Sequence, residues 1–228
     1  MRRIKDIGEA YDFFLLRFYR SCQDGNYSVR SSGFVPKLIK VGNPPINRIC
    51  VEGIIYLKDW PYKVVTRQKK IDILVKGTEH FDSDGSSCVY SNVHVNYLTI
   101  SRSGVARVIE NIHYDFEADS GVAHPVFHAQ FANNEVSDEA GRLTVGFDYG
   151  INSMERFARY KNMRVPTAHM NIPSVLLCLA ADHMKWTFFQ ELIVEIRSGN
   201  PTLPEAACQR MRKSFAGGQD FCKSIHWY

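Results

Sequence analysis

The sequence predicts an α+β fold: an N-terminal helix, a mainly antiparallel sheet with a β-meander, and C-terminal helices packed on the sheet. Three observations predict it. Apolar residues recur at three- and four-residue spacing near the start and again after residue 173. From about residue 48 to residue 132 they instead alternate with polar residues at period two. Turn-forming clusters cut the alternating region into consecutive strands. One domain is predicted over residues 1–228, with 1–150 mainly β behind the helix and 151–228 helical.

The chain has 228 residues, 45% of them apolar and 23% charged, enough to bury a sizeable core. A net charge of +4 permits a nucleic-acid or phosphate partner without demanding one. The six cysteines (Cys22, Cys50, Cys88, Cys178, Cys208, Cys222) form no C-x-x-C pair, which points to core thiols in a reducing cytoplasm. Neither Phe13–Leu16, followed at once by Arg17, nor Val175–Ala181, broken by Asp182-His183, is long enough to cross a membrane, so no membrane association is expected.

In order, Ile4, Ile7, Tyr11, Phe14, Leu15 and Phe18 give residues 4–22 one apolar helical face, and Gly25 stops the helix. A loop follows from about Asp24 to Pro45, with Phe34–Ile39 as an edge strand because Pro36 bars it from a central place. Ile49, Val51, Ile54, Ile55 and Leu57 define one strand, Tyr62–Thr66 and Ile71–Val75 two more, with Asp59-Trp60-Pro61 as a turn. Gly77–Ser87 reads as a polar hairpin loop. Its Asp82-Ser83-Asp84-Gly85 begins like a calcium loop but lacks the spaced ligands and closing glutamate. The meander comprises Cys88–Ile100, Val105–Phe116 and Pro125–Ala132. In its second strand Ala106, Val108, Ile112, Tyr114 and Phe116 share one face, and Ile109, Asn111, His113 and Asp115 the other. Leu143–Phe147 is a further strand and Ser153–Tyr160 a short helix. Pro173 opens a helix to about residue 197, and a capping box at Thr202 and Glu205 starts a last helix to about Phe215.

The chemistry concentrates between His113 and Pro173. His124 and His128 lie four residues apart, which on a strand is about 13 Å. One zinc cannot hold both at about 2.1 Å across a strand, so either His124 precedes the strand and bends back at Pro125 or the two histidines have different jobs. By parity His128 and Gln130 share a face, and His113 and Asp115 join them if the neighbouring strand is in register. A catalytic cleft of His113, Asp115, His128 and Arg164 is therefore one reading. In it Arg164 offers a guanidinium to a carboxylate or phosphate, and the other reading makes it a brace for loop carbonyls. His169, just before the long helix, suits an oxyanion or phosphate site but reads better as a surface histidine, and His183 reads better as a hydrogen-bonded core histidine than as a ligand. Arg210, Arg212 and Lys213 form a basic patch that suits nucleic-acid binding or a solvated face, as does Arg67-Gln68-Lys69-Lys70. No phosphate-binding loop, dinucleotide fingerprint, nucleophile elbow or H-E-x-x-H is present, and no cofactor or metal is assigned.

His124-Pro125-Val126-Phe127-His128 and Tyr160-Lys161-Asn162-Met163-Arg164-Val165-Pro166, followed by an apolar helix, resemble a family of uncharacterised bacterial proteins with H-P-x-x-H and Y-K-N-x-R-I-P motifs. The likeness covers about 60 residues, and residues 133–159 separate motifs that lie closer together in the family. The resemblance implies a bacterial origin and a place among phage-defence or mobile-element genes, with no activity to carry over. Two functions follow. One is a non-enzymatic subunit of a multi-protein bacterial system, antiviral in character, that binds a protein partner and nucleic acid. The alternative is a small hydrolase or nuclease-like effector using the His/Asp/Arg cleft.

Overall fold

The structure is a computed structural model and describes residues 2–64, 67–100, 106–117, 127–131, 164–167, 169–199 and 203–204. Within them the fold is α+β. Helix α1 (Arg2–Asp24) is followed by strands β1 (Ser28–Ser31), β2 (Lys37–Val41), β3 (Ile46–Val64), β4 (Arg67–Phe81), β5 (Cys88–Ile100), β6 (Ala106–Glu117), β7 (Phe127–Phe131) and β8 (Arg164–Pro166). Helices α2 (Ile172–His183) and α3 (Trp186–Ser198) come last. The described strands form one antiparallel sheet in the order β1-β3-β4-β5-β6-β7-β8, with β2 beside β1 on the same edge of β3.

The inner face of the sheet carries the core. Ile55, Val75, Val95 and Ile112 lie side by side across β3 to β6. Tyr11, Phe14, Leu15 and Phe18 of α1 and Ile172, Val175, Leu176 and Leu179 of α2 belong to the same buried cluster. Gly77 permits the close approach of α2, since a Cβ there would lie 2.3 Å from Ile172 Cγ1. Glu79, fully buried, is the polar tie of this core. It accepts hydrogen bonds from Tyr11 Oη and, at 2.6 Å, from the backbone N–H of Ile172 at the start of α2. Burial pushes its carboxyl up to about 7 even though both hydrogen bonds pull it down.

Several expectations need correction. Asp59-Trp60-Pro61 is not a turn, because β3 runs through it and is offset against β4 between Leu57 and Trp60. Asp59 takes a positive φ of 57° and donates its N–H to Asp72 Oδ1 at 2.8 Å, which lets the strand bulge rather than reverse. The bulge aims Trp60 inward, where it is fully buried between Phe18 and Tyr27. Pro61 is tolerated because among the described residues this part of β3 pairs with β4 alone. Gly77–Phe81 is strand, not loop, and the hairpin loop is confined to 82–87. There the Asp82 carboxylate accepts from Ser86 N–H, Ser87 N–H and Ser86 Oγ, so the calcium-like acidic pair braces its own turn. The edge strand starts at Lys37, after Pro36, and β1 was not foreseen. The long helix after residue 173 is two helices, broken at Met184-Lys185. Lys185 N–H donates to Tyr27 Oη at 2.9 Å instead of continuing the helix, and the His183 ring binds Pro61 O at 2.9 Å beside the break. Asn171 caps α2, accepting from Ser174 N–H at 2.9 Å. The readings at Leu143–Phe147, Ser153–Tyr160 and beyond Pro204 lie outside the described residues.

Candidate functional site

The outer face of the sheet differs from the inner one. Pairing with β5 places Asn92 against Asp115, His94 against His113 and Asn96 against Asn111. Pairing with β7 places Asp115 against His128 and His113 against Gln130. The anticipated register therefore holds. Because directly opposed residues have Cβ atoms about 5 Å apart, three strands deliver their outward side chains to one spot.

A bulge in β6 shapes this face. Tyr97 pairs with Glu110 and the next β5 residue, Leu98, with Val108, so Ile109 is extra. The parity of β6 flips there. Ala106 and Val108, assigned by alternation to the face of Ile112 and Tyr114, instead join an outer apolar cluster with Ile54, Tyr56, Leu74 and Leu98. Ile109, assigned to the polar face, packs against the inner core. The outer face thus has an apolar end and a polar end, divided by the buried Asn96 and Asn111, whose amides hydrogen-bond to each other.

At the polar end two imidazoles converge on one carboxylate. His113 Nε2 lies 2.9 Å and His128 Nε2 3.5 Å from Asp115 Oδ2. His113 is 8% and His128 2% exposed. Asn92 donates its amide N–H to Asp115 Oδ1, fixing the other oxygen toward the histidines. Burial by itself raises the Asp115 carboxyl, but the hydrogen bond and charge of His113 and the charges of His128 and His94 outweigh it and hold it below its usual range. The His94 ring stands 5.3 Å from that of His113, and burial, reinforced by His113, lowers its pKa to about 4. His113 Nδ1 is buried without a hydrogen-bond partner among the described residues. A buried polar atom left unsatisfied costs about 1–3 kcal/mol.

Of the predicted site residues, His113, Asp115 and His128 are brought together, and Gln130 is paired in register beside them. Arg164 is placed by its backbone opposite Gln130 on β8, in the row that contains His113. His124, Arg210, Arg212 and Lys213 lie outside the described residues. His169 is not a surface histidine: its ring packs 5.2 Å from both Phe116 and Phe127, and burial lowers its pKa to about 4. His183 is a hydrogen-bonded histidine of the core edge, beside Trp60 and Tyr97. Asn92 and His94 were missed, although Asn92, His94 and Asn96 alternate with the buried Val93 and Val95 as His113 and Asp115 do with Ile112 and Tyr114. No helix among the described residues is long and apolar enough to cross a membrane. The chain matches no protein-family model, no curated protein and no solved structure.

Proposed function

We propose that the protein is a hydrolase that activates water at His113, Asp115 and His128. The observation that carries this reading is the convergence of two buried imidazoles on the Asp115 carboxylate, at 2.9 and 3.5 Å. Buried ionisable groups are a poor source of stability, since apolar replacements are often neutral or better. They are useful where protons move. In the reaction a water held at the cluster gives up a proton to it, the hydroxide attacks a carbonyl carbon or phosphorus, and the departing alkoxide leaves with that proton.

The test assays the purified full chain against chromogenic carboxylic and phosphoric esters. The near-isosteric Asp115→Asn and His128→Asn should lower kcat/KM by about 10²–10⁴-fold, the usual worth of a positioned acid–base group, while far-UV circular dichroism stays native. Wild-type rates in both variants would overturn the reading.

A second reading, the partner-binding subunit of a bacterial defence system, is favoured by the apolar exposure of Val35 (76%), Leu38 (60%) and Ile46 (50%) around the β2 edge. It predicts a defined protein that co-purifies from the host and is lost with Leu38→Asp.

A further inference from the structure

We infer that His113, Asp115 and His128 are the three protein ligands of a borderline divalent cation of the zinc or iron(II) class. The inference rests on reading this cluster as the functional site, and it supplies that site with a cofactor.

Four observations lead to it. First, one ligand atom from each residue lies within 4.8 Å of the other two. Bonds of about 2.1 Å at tetrahedral or octahedral angles require ligand–ligand edges of about 3.0–3.4 Å. The two edges at Asp115 Oδ2, 2.9 and 3.5 Å, fall about 0.1 Å outside either end of that range. The 3.5 Å edge is too long for a good N–H···O bond, for which about 2.7–3.2 Å is normal. It is an ordinary separation for two ligands of one ion.

Second, the backbone carries the alignment. His113 and Asp115 are two apart on β6, hence on one face, and His128 is the direct neighbour of Asp115 on β7. The remaining His113–His128 edge, no longer than 4.8 Å, would close by rotation about the side-chain bonds when the ion binds. Third, Asn92 holds Asp115 Oδ1 and so leaves Oδ2 as a single-oxygen ligand, the kind of outer support that ligating carboxylates have. Fourth, the ligand chemistry selects the ion. Two imidazoles and one carboxylate, without thiolate, suit zinc, iron(II), cobalt(II) or manganese(II) better than copper(I), calcium or magnesium. Three protein ligands leave coordination positions open, which is the mark of a reactive rather than a structural site.

The experiment titrates EDTA-treated full chain with cobalt(II), followed by its visible absorption and by displacement with zinc. The expected result is one equivalent per chain, abolished in His113→Asn, Asp115→Asn and His128→Asn. Asn92→Ala should weaken binding about 10–100-fold, and His80→Gln, an outer-face histidine outside the cluster, should leave it unchanged. Should a ligand variant fail to fold, zinc-induced shifts of the His113 and His128 imidazole resonances in the wild type decide the same question. No specific uptake, or uptake indifferent to the three substitutions, overturns the inference. Ester hydrolysis lost in Asp115→Asn with no metal bound would leave the hydrolase reading standing without it. Metal held by these residues in a chain that cleaves no ester would do the reverse.

Discussion

Glu79→Gln isolates a proton that the folded protein holds and the unfolded chain releases. Glu79 is fully buried, where its carboxyl titrates near 7 instead of its ordinary 4.5. A raised folded-state value means that the native state binds more protons than the unfolded state between those limits. The stabilisation is complete below about pH 4.5 and is lost as pH rises through about 7. The shift is worth about 3 kcal/mol at 1.36 kcal/mol per unit. His94 and His169, both lowered to about 4 by burial, act in the opposite sense: the unfolded chain gains protons first, so their contribution is present above about 6.5 and lost as pH falls. The wild-type curve alone therefore mixes rising and falling contributions. Glutamine keeps the shape, accepts from Ile172 N–H and cannot ionise, so subtracting the variant's curve leaves the Glu79 contribution. Urea unfolding at pH 5 and pH 8 provides the measurement. The wild type should lose about 2–3 kcal/mol relative to Glu79→Gln across that interval. Parallel pH dependences of the two proteins would refute the assignment of a protonated Glu79 to the native core.

Two predictions concern the packing that supports the site. Gly77→Ala places a Cβ 2.3 Å from Ile172 Cγ1, so α2 must shift. Thermal melts should show a loss of about 1–3 kcal/mol, and a neutral result would mean that α2 does not rest on Gly77. Trp60→Ala removes a fully buried ring that donates Nε1–H to Ser28 O at 3.2 Å. Denaturant unfolding should register a loss of about 3–5 kcal/mol.

Much of the fold was legible because its signals are local. The periodicity of α1, the meander, and the pairings of His113 with Asp115 and of His128 with Gln130 on one face of their own strands follow from spacing alone, whereas bringing the two pairs together took the register of β6 and β7. What was misread depends on groups distant in sequence. Asp59-Trp60-Pro61 has the composition of a turn, and only the Asp72 carboxylate bound to Asp59 N–H makes it a bulge within a strand. Gly77 and Glu79 look like loop residues until Ile172 is laid over them. At the break after His183, Lys185 N–H goes to Tyr27 Oη, more than a hundred residues away in the chain. At the site, strict alternation put Val108 on the wrong side because one extra residue, Ile109, resets the parity of β6. Asn92 and His94 were overlooked because their meaning lies in the strand they oppose, not in their own neighbours.

The pairing of β7 with β6 makes the cluster a reporter of its own assembly. A slip of one residue would turn His128 toward the helices and Phe127 and Ala129 toward Asp115. Compaction, helix content and hydrophobic burial can all arise in a collapsed chain with the wrong alignment. The His113–Asp115 contact lies within β6, but the His128–Asp115 contact needs β7 paired in its native register. Imidazole signals from that cluster, followed during refolding, would date the moment at which the last strands lock, separately from the burial of the core beneath them.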